Sequence, residues 1–114
     1  MATIRALWPH EELQRESEAH EEAVGHWHAA ERVLGAIGET QARRLLQLSV
    51  RVPMPGMALS PRLPQTTVEA LEAEQCVRRE GRRWVFTYIG HHVFCYLRRL
   101  LAGQDMFGHW LRKR

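Results

Sequence analysis

The chain has 114 residues, 45% of them hydrophobic and 25% charged, which is enough for one small domain around a single core and too little for two. No apolar run approaches the roughly 20 residues of a membrane-spanning helix, and the opening MATIRALWPHEEL lacks the basic-then-apolar order of a secretory signal, so a soluble cytoplasmic protein is expected. The net charge of +3 hides a division: up to residue 32 seven acids stand against three arginines, whereas the remainder carries 13 Lys and Arg against six acids.

In chain order, an acidic helix is expected over about residues 10–37. It starts after Pro9, where Glu11 and Glu12 favour the positive end of the helix dipole. Leu13 and Ala19 give its first half a thin apolar side. Val24, Trp27, Ala30, Val33, Leu34 and Ile37 then form a stripe at helical spacing, so the second half should enter the core, with Gly25 as the dividing point. Gly35 and Gly38 weaken the end, and a second helix is expected at Thr40–Leu48 with Ala42, Leu45, Leu46 and Leu48 buried. Prolines at 53, 55, 61 and 64 exclude a continuous helix in the stretch that follows, which is read as a long connection with a short strand at Val50–Val52.

A helix from about Gln65 to Gln75 carries the capping-box pattern Thr66-x-x-Glu69. Cys76–Arg79 and Arg82–Thr87 read as a hairpin turning at Glu80-Gly81, giving a basic β-hairpin over about 76–87. Thr87-x-x-Gly90 caps a further helix over about 88–101, in which Ile89, Val93, Tyr96, Leu97, Leu100 and Leu101 recur at helical spacing and Gly103 supplies the stop. A final turn at Asp105–Leu111 presents Met106, Phe107, Trp110 and Leu111. A chain this short has little left to cover its terminal helices, so dimer contacts are expected to include Trp27, Leu97, Phe107 and Trp110.

The basic residues fall in groups: Arg43-Arg44, Arg78-Arg79, Arg82-Arg83, Arg98-Arg99 and Arg112-Lys113-Arg114. Such grouping suits a phosphate backbone or another acidic surface, and also a merely solvated basic face. In the helix after Pro64 the charges are Glu69, Glu72 and Glu74, so contact with nucleic acid there would come from the front end, through Arg62, Gln65, Thr66 and Thr67. Arg78, Arg79, Arg82 and Arg83 would act as a phosphate or minor-groove probe.

Leu59-Ser60-Pro61, then Leu71-Glu72-Ala73-Glu74-Gln75-Cys76-Val77-Arg78-Arg79-Glu80-Gly81-Arg82-Arg83, then Thr87-x-x-Gly90 together resemble the recognition helix, wing and following helix of winged-helix transcription regulators of the PadR and MarR kind. The resemblance covers about residues 59–101. It implies a mainly α protein with a small β-hairpin, a single winged helix-turn-helix domain with extra N- and C-terminal helices. It also implies a homodimer that binds double-stranded operator DNA and regulates transcription. Family members join the second and third helices by a turn of a few residues, where this chain spends about fifteen proline-rich ones. That departure, and Pro64 lying where the family's recognition helix is already under way, count against a groove-reading surface, and the acidic helix after Pro64 keeps open the alternative of a winged-helix module that docks on a protein or a ribonucleoprotein.

The histidine pairs His26-x-His28 and His91-His92, with Cys95, invite a metal reading. Neighbours one or two apart point to different sides of a helix, so neither pair can chelate as a unit, and no metal or other cofactor is expected. Cys76 and Cys95 have neither disulfide-framework nor C-x-x-C spacing and read as buried free thiols. Without a Ser-His-Asp arrangement, a phosphate-binding glycine loop or H-E-x-x-H, no catalytic residue is assigned and a non-enzymatic role is expected.

Overall fold

A computed structural model describes residues 9–49 and 52–111, with side chains from Arg15 onward, as three helices and one antiparallel hairpin. Helix α1 (Pro9–Gln47) begins with proline, whose fixed φ and missing N–H suit a first helical position. It is interrupted at Gly38, where φ 85° and ψ 163° leave the helical region, so it forms two arms, 9–37 and 39–47. A side chain at that φ would be strained, and this explains why the second helix expected after Gly38 starts there. Gly25, by contrast, stays within continuous helix. One interior glycine costs only about 1 kcal/mol relative to alanine, and burial of Ala29, Ala30 and Val33 just beyond it offsets that.

The connection between α1 and α2 (Gln65–Ala73) is ordered by pairing with the hairpin strands β1 (Val77–Glu80) and β2 (Arg83–Phe86). The strand expected at Val50–Val52 falls largely outside the described residues; the strand-like part of the connection lies further on. Gly56 N donates to Phe86 O at 2.8 Å, Phe86 N to Met57 O at 2.8 Å and Leu59 N to Trp84 O at 2.8 Å, with Ala58 bridged to Val85. Prolines 53, 55 and 61 flank this edge, so the residues that keep their N–H groups make the bonds.

The N-cap of α2 is Pro64, which has no side-chain cap to offer, and Pro64 O accepts from Thr67 N at 3.0 Å and Val68 N at 3.2 Å. The capping box expected at Thr66-x-x-Glu69 therefore does not form. Thr66 lies inside the helix, two positions too late to be its cap. Residues Thr67, Val68 and Leu71 turn inward against α1, and Gln75 at φ 62° redirects the chain into β1. Across this junction Arg32 of α1 grips Glu74 with two parallel bonds of 2.9 and 2.8 Å.

The hairpin pairs Val77 with Phe86, Arg78 with Val85, Arg79 with Trp84 and Glu80 with Arg83. Its base is buried at Val77, Val85 and Phe86, while residues 78–83 project. Helix α3 (Tyr88–Ala102) is capped as the sequence indicates: Thr87 Oγ1 accepts from Gly90 N at 3.0 Å, and Gly103 at φ 82° ends it. Val93, Phe94 and Leu97 pack on α1, making the broadest helix pair of the fold, and Phe86 meets Phe94 edge to face. Leu97 is 1% exposed, so the dimer contact expected of it is overturned; its place in the helical repeat puts it at the centre of the core. Beyond α3 the chain folds back, bridging Gln104 to Trp110, with Asp105 Oδ1 accepting from Phe107 N and His109 N at 2.9 Å each and Arg99 donating to Met106 O. Among the described residues no helix is long and apolar enough to cross a membrane.

Candidate nucleic-acid interface

The four hairpin arginines divide into two kinds. Arg78 is paired with Glu80 at 2.7 Å, and Arg79 lies over the Trp84 ring, 5.6 Å from its centroid, with Nε reaching Gly81 O. Arg82 and Arg83 are exposed and, among the described residues, have neither an acidic partner nor a side-chain hydrogen bond. The chain turns at Gly81 (φ 65°) between the two kinds: on the β1 side Arg78 has an acidic partner and Arg79 an aromatic and a carbonyl contact, and beyond the turn Arg82 and Arg83 have neither.

Arg82 and Arg83 border a cleft of about 310 Å³ between the hairpin and the connection. Leu59, Pro61, Leu63 and Trp84 give it apolar walls; Ser60 and Gln65 supply polar groups. The wall on the connection side is held by the Leu59 N to Trp84 O bond, and a turn in which Ser60 Oγ accepts from Arg62 N at 3.2 Å shapes its rim. Arg62 itself is exposed at that turn.

On α2, Gln65 and Thr66 are exposed and Gln65 faces the cleft. Thr67 is not part of this surface. It is 0% exposed, because its position adjoins Val68 and precedes Leu71 by one turn on the inward face, and its Oγ1 has no hydrogen-bond partner. The expectation that Thr67 touches nucleic acid is thus corrected. Glu69 and Glu72 are exposed, so the free face of α2 is acidic beyond its first turn. The structure therefore gathers Arg82, Arg83 and Gln65 around one cleft, with Arg62 and Thr66 as exposed neighbours in sequence, and leaves Arg78 and Arg79 committed to the hairpin.

Sequence reasoning missed the cleft because its walls come from the proline-rich connection. The available signal was Gly56-Met57-Ala58-Leu59, a proline-free run facing a hairpin strand rich in large apolar residues. Of the other expected contacts, Trp27 is half-buried and packs edge to face on Tyr96, centroids 5.8 Å apart. Phe107 and Trp110 are 61% and 71% exposed. Phe107 also stacks on His20, the centroids 6.4 Å apart.

The histidines form contacts of a different sort. His26 of α1 stacks on His92 of α3 with centroids 5.0 Å apart, and Tyr88 and His91 approach His92 edgewise at 4.5 and 5.0 Å. His91 Nδ1 lies 2.9 Å from Pro53 O, and His28 pairs with Glu31 instead. Burial, then the neighbouring His26 and His91, push the His92 pKa down, with Glu22 opposing. Among the described residues no three His, Cys, Asp or Glu side chains come together to hold a metal ion. Burial, with the Glu74 charge, raises the Cys76 thiol to about 12, and burial also raises Cys95, so neither is set up as a thiolate nucleophile.

Comparison with family models, curated proteins and solved structures yields no match to this chain.

Proposed function

We propose that this chain is a winged-helix protein that binds double-stranded DNA through the hairpin and the front end of α2, and that it acts as a homodimeric transcription regulator. The reading takes α2 as the recognition helix, β1 and β2 as the wing, and α3 as the helix that follows. The observation that carries it is the pair of unpaired arginines, Arg82 and Arg83, projecting beside the exposed Gln65 and Thr66. Cations held on a short rigid hairpin meet phosphate oxygens without first breaking internal ion pairs. The test is electrophoretic mobility shift on random-sequence duplex at increasing salt. Binding should weaken steadily with salt, and alanine at Arg79, Arg82 and Arg83 together should reduce affinity on all sequences and flatten the salt slope. Unchanged binding by a folded triple variant would remove the hairpin from the contact.

A second reading, a protein-docking module, is favoured by the exposed Glu69 and Glu72 on α2 and by Phe107, Trp110 and Leu111 at the surface. An acidic helix face is repelled by phosphate and suits a basic protein surface. Under that reading Glu69→Gln leaves DNA binding unchanged. If Glu69 reads a base, the same substitution should alter sequence preference, by about 1–3 kcal/mol per contact.

A further inference from the structure

We propose that the cleft between the hairpin and the connection binds one unpaired nucleotide, so that the protein prefers DNA in which a duplex adjoins a single-stranded base. This deepens the DNA-binding reading and rests on it.

The cleft has the chemistry of a nucleotide laid out in space. Arg82 and Arg83 at its border are the two hairpin cations without an internal partner, and they suit a phosphodiester. Inside, Trp84 offers an aromatic surface, with Leu59 and Leu63 as further apolar wall. Gln65 and Ser60 present an amide and a hydroxyl able to meet the polar edge of a base. Arg79 Cζ lies 5.6 Å from the Trp84 ring centroid, and Leu59 N donates to the Trp84 carbonyl at 2.8 Å, so Trp84 is held in place before any ligand arrives.

Size excludes the alternative in which the cleft receives paired bases. A volume of about 310 Å³ is at the low end for small-molecule sites; it admits a single ring system and its sugar, and cannot admit a stacked duplex. A base that is already unpaired enters without the cost of unstacking, and stacking on an aromatic side chain is largely insensitive to which base it is. The two arginines then lie where the backbone leaves the cleft, continuous with the phosphate contacts of the hairpin.

The experiment is fluorescence anisotropy with three labelled DNAs of the same duplex sequence: blunt, with a short thymine overhang, and with an overhang of abasic residues of equal charge. The full chain should bind the thymine overhang about tenfold more tightly than the other two, which should be alike. Trp84→Leu should abolish that ratio, and Trp84→Phe should retain most of it, which separates stacking from mere filling of the wall. Equal affinity for thymine and abasic overhangs, or a ratio that survives Trp84→Leu, would overturn the proposal while leaving duplex binding standing. Absence of binding to all three DNAs would overturn the DNA-binding reading and this inference with it.

Discussion

Gly90 faces the backbone of Cys76 so closely that a Cβ added at residue 90 would stand 2.0 Å from the Cys76 carbonyl oxygen. That carbonyl accepts from Thr87 N at 3.0 Å, and Thr87 Oγ1 both donates to Gln75 O at 2.6 Å and accepts from Gly90 N. The start of α3 is thus pressed onto the entry of the hairpin, with no side chain between them. Gly90→Ala should destabilise the fold by about 3 kcal/mol or more, the upper part of the range for forced overpacking, because the obstructing atom is backbone and cannot rotate away. Chemical denaturation followed by circular dichroism checks this. Wild-type stability in the variant would mean that α3 does not rest on Cys76.

Thr67 has a buried hydroxyl with no partner, next to Val68 and Leu71. Thr67→Val keeps the shape and removes the unsatisfied group, so it should stabilise the protein by about 1 kcal/mol. Under the proposed DNA-binding function the affinity should not change, because the side chain is buried. A loss of stability would show that the hydroxyl has a partner in solution.

The contrast between Thr66 and Thr67 shows where the sequence is informative and where it is not. Thr87-x-x-Gly90, Gly103 and the break after Gly38 were all legible, because each rests on backbone geometry within a few residues. So was the hairpin, whose turn at Glu80-Gly81 carries its own signal. The face of α2 is less legible, because Thr67 is polar and so reads as outward, although its phase with Val68 and Leu71 puts it inside. Leu97 is hard to place for the opposite reason: its apolar character is plain, but a single sequence does not say which partner covers it. The cleft was not legible because the register between residues 56–59 and β2 is a long-range pairing, set by the packed fold and not by neighbouring residues.

The Cys76 thiol makes stability fall at alkaline pH. Its pKa lies at about 12 in the folded protein, above an ordinary 9.0. The unfolded chain therefore loses this proton at lower pH than the folded one, and the associated stability is intact below pH 9 and lost progressively as pH rises toward 12. The loss attributable to this group approaches about 4 kcal/mol at the upper limit. Comparing denaturation of wild type and Cys76→Ala across pH 8–11 isolates it; parallel curves would show that Cys76 is not shielded. Native Cys76 should also resist thiol-specific labelling until the protein unfolds.

At acid pH His92 contributes a second dependence. Its pKa is depressed by burial and by His26 and His91, so its stabilising contribution is present above pH 6.5 and is lost as pH falls through the lower, folded value. The groups that face it are Glu22 and His26 on α1 and Tyr88 and His91 on α3, and of these only Glu22 favours the charged ring. The thermal midpoint should decline more steeply below pH 6 in wild type than in His92→Phe. Identical slopes would mean that the stacked pair does not resist protonation.

The broad pairing of α1 with α3 has a consequence for how the chain comes to be folded. Every residue of α1 is synthesised before the hairpin, and the core that its buried Ala29, Ala30 and Val33 enter also takes in Val93, Phe94 and Leu97, which follow the hairpin. A nascent chain that has released α1, α2 and the hairpin therefore still carries an uncovered apolar face, and the cooperative fold closes only when α3 clears the ribosome. A chain truncated before Val93 should be aggregation-prone, whereas one truncated after Gly103 should resist proteolysis.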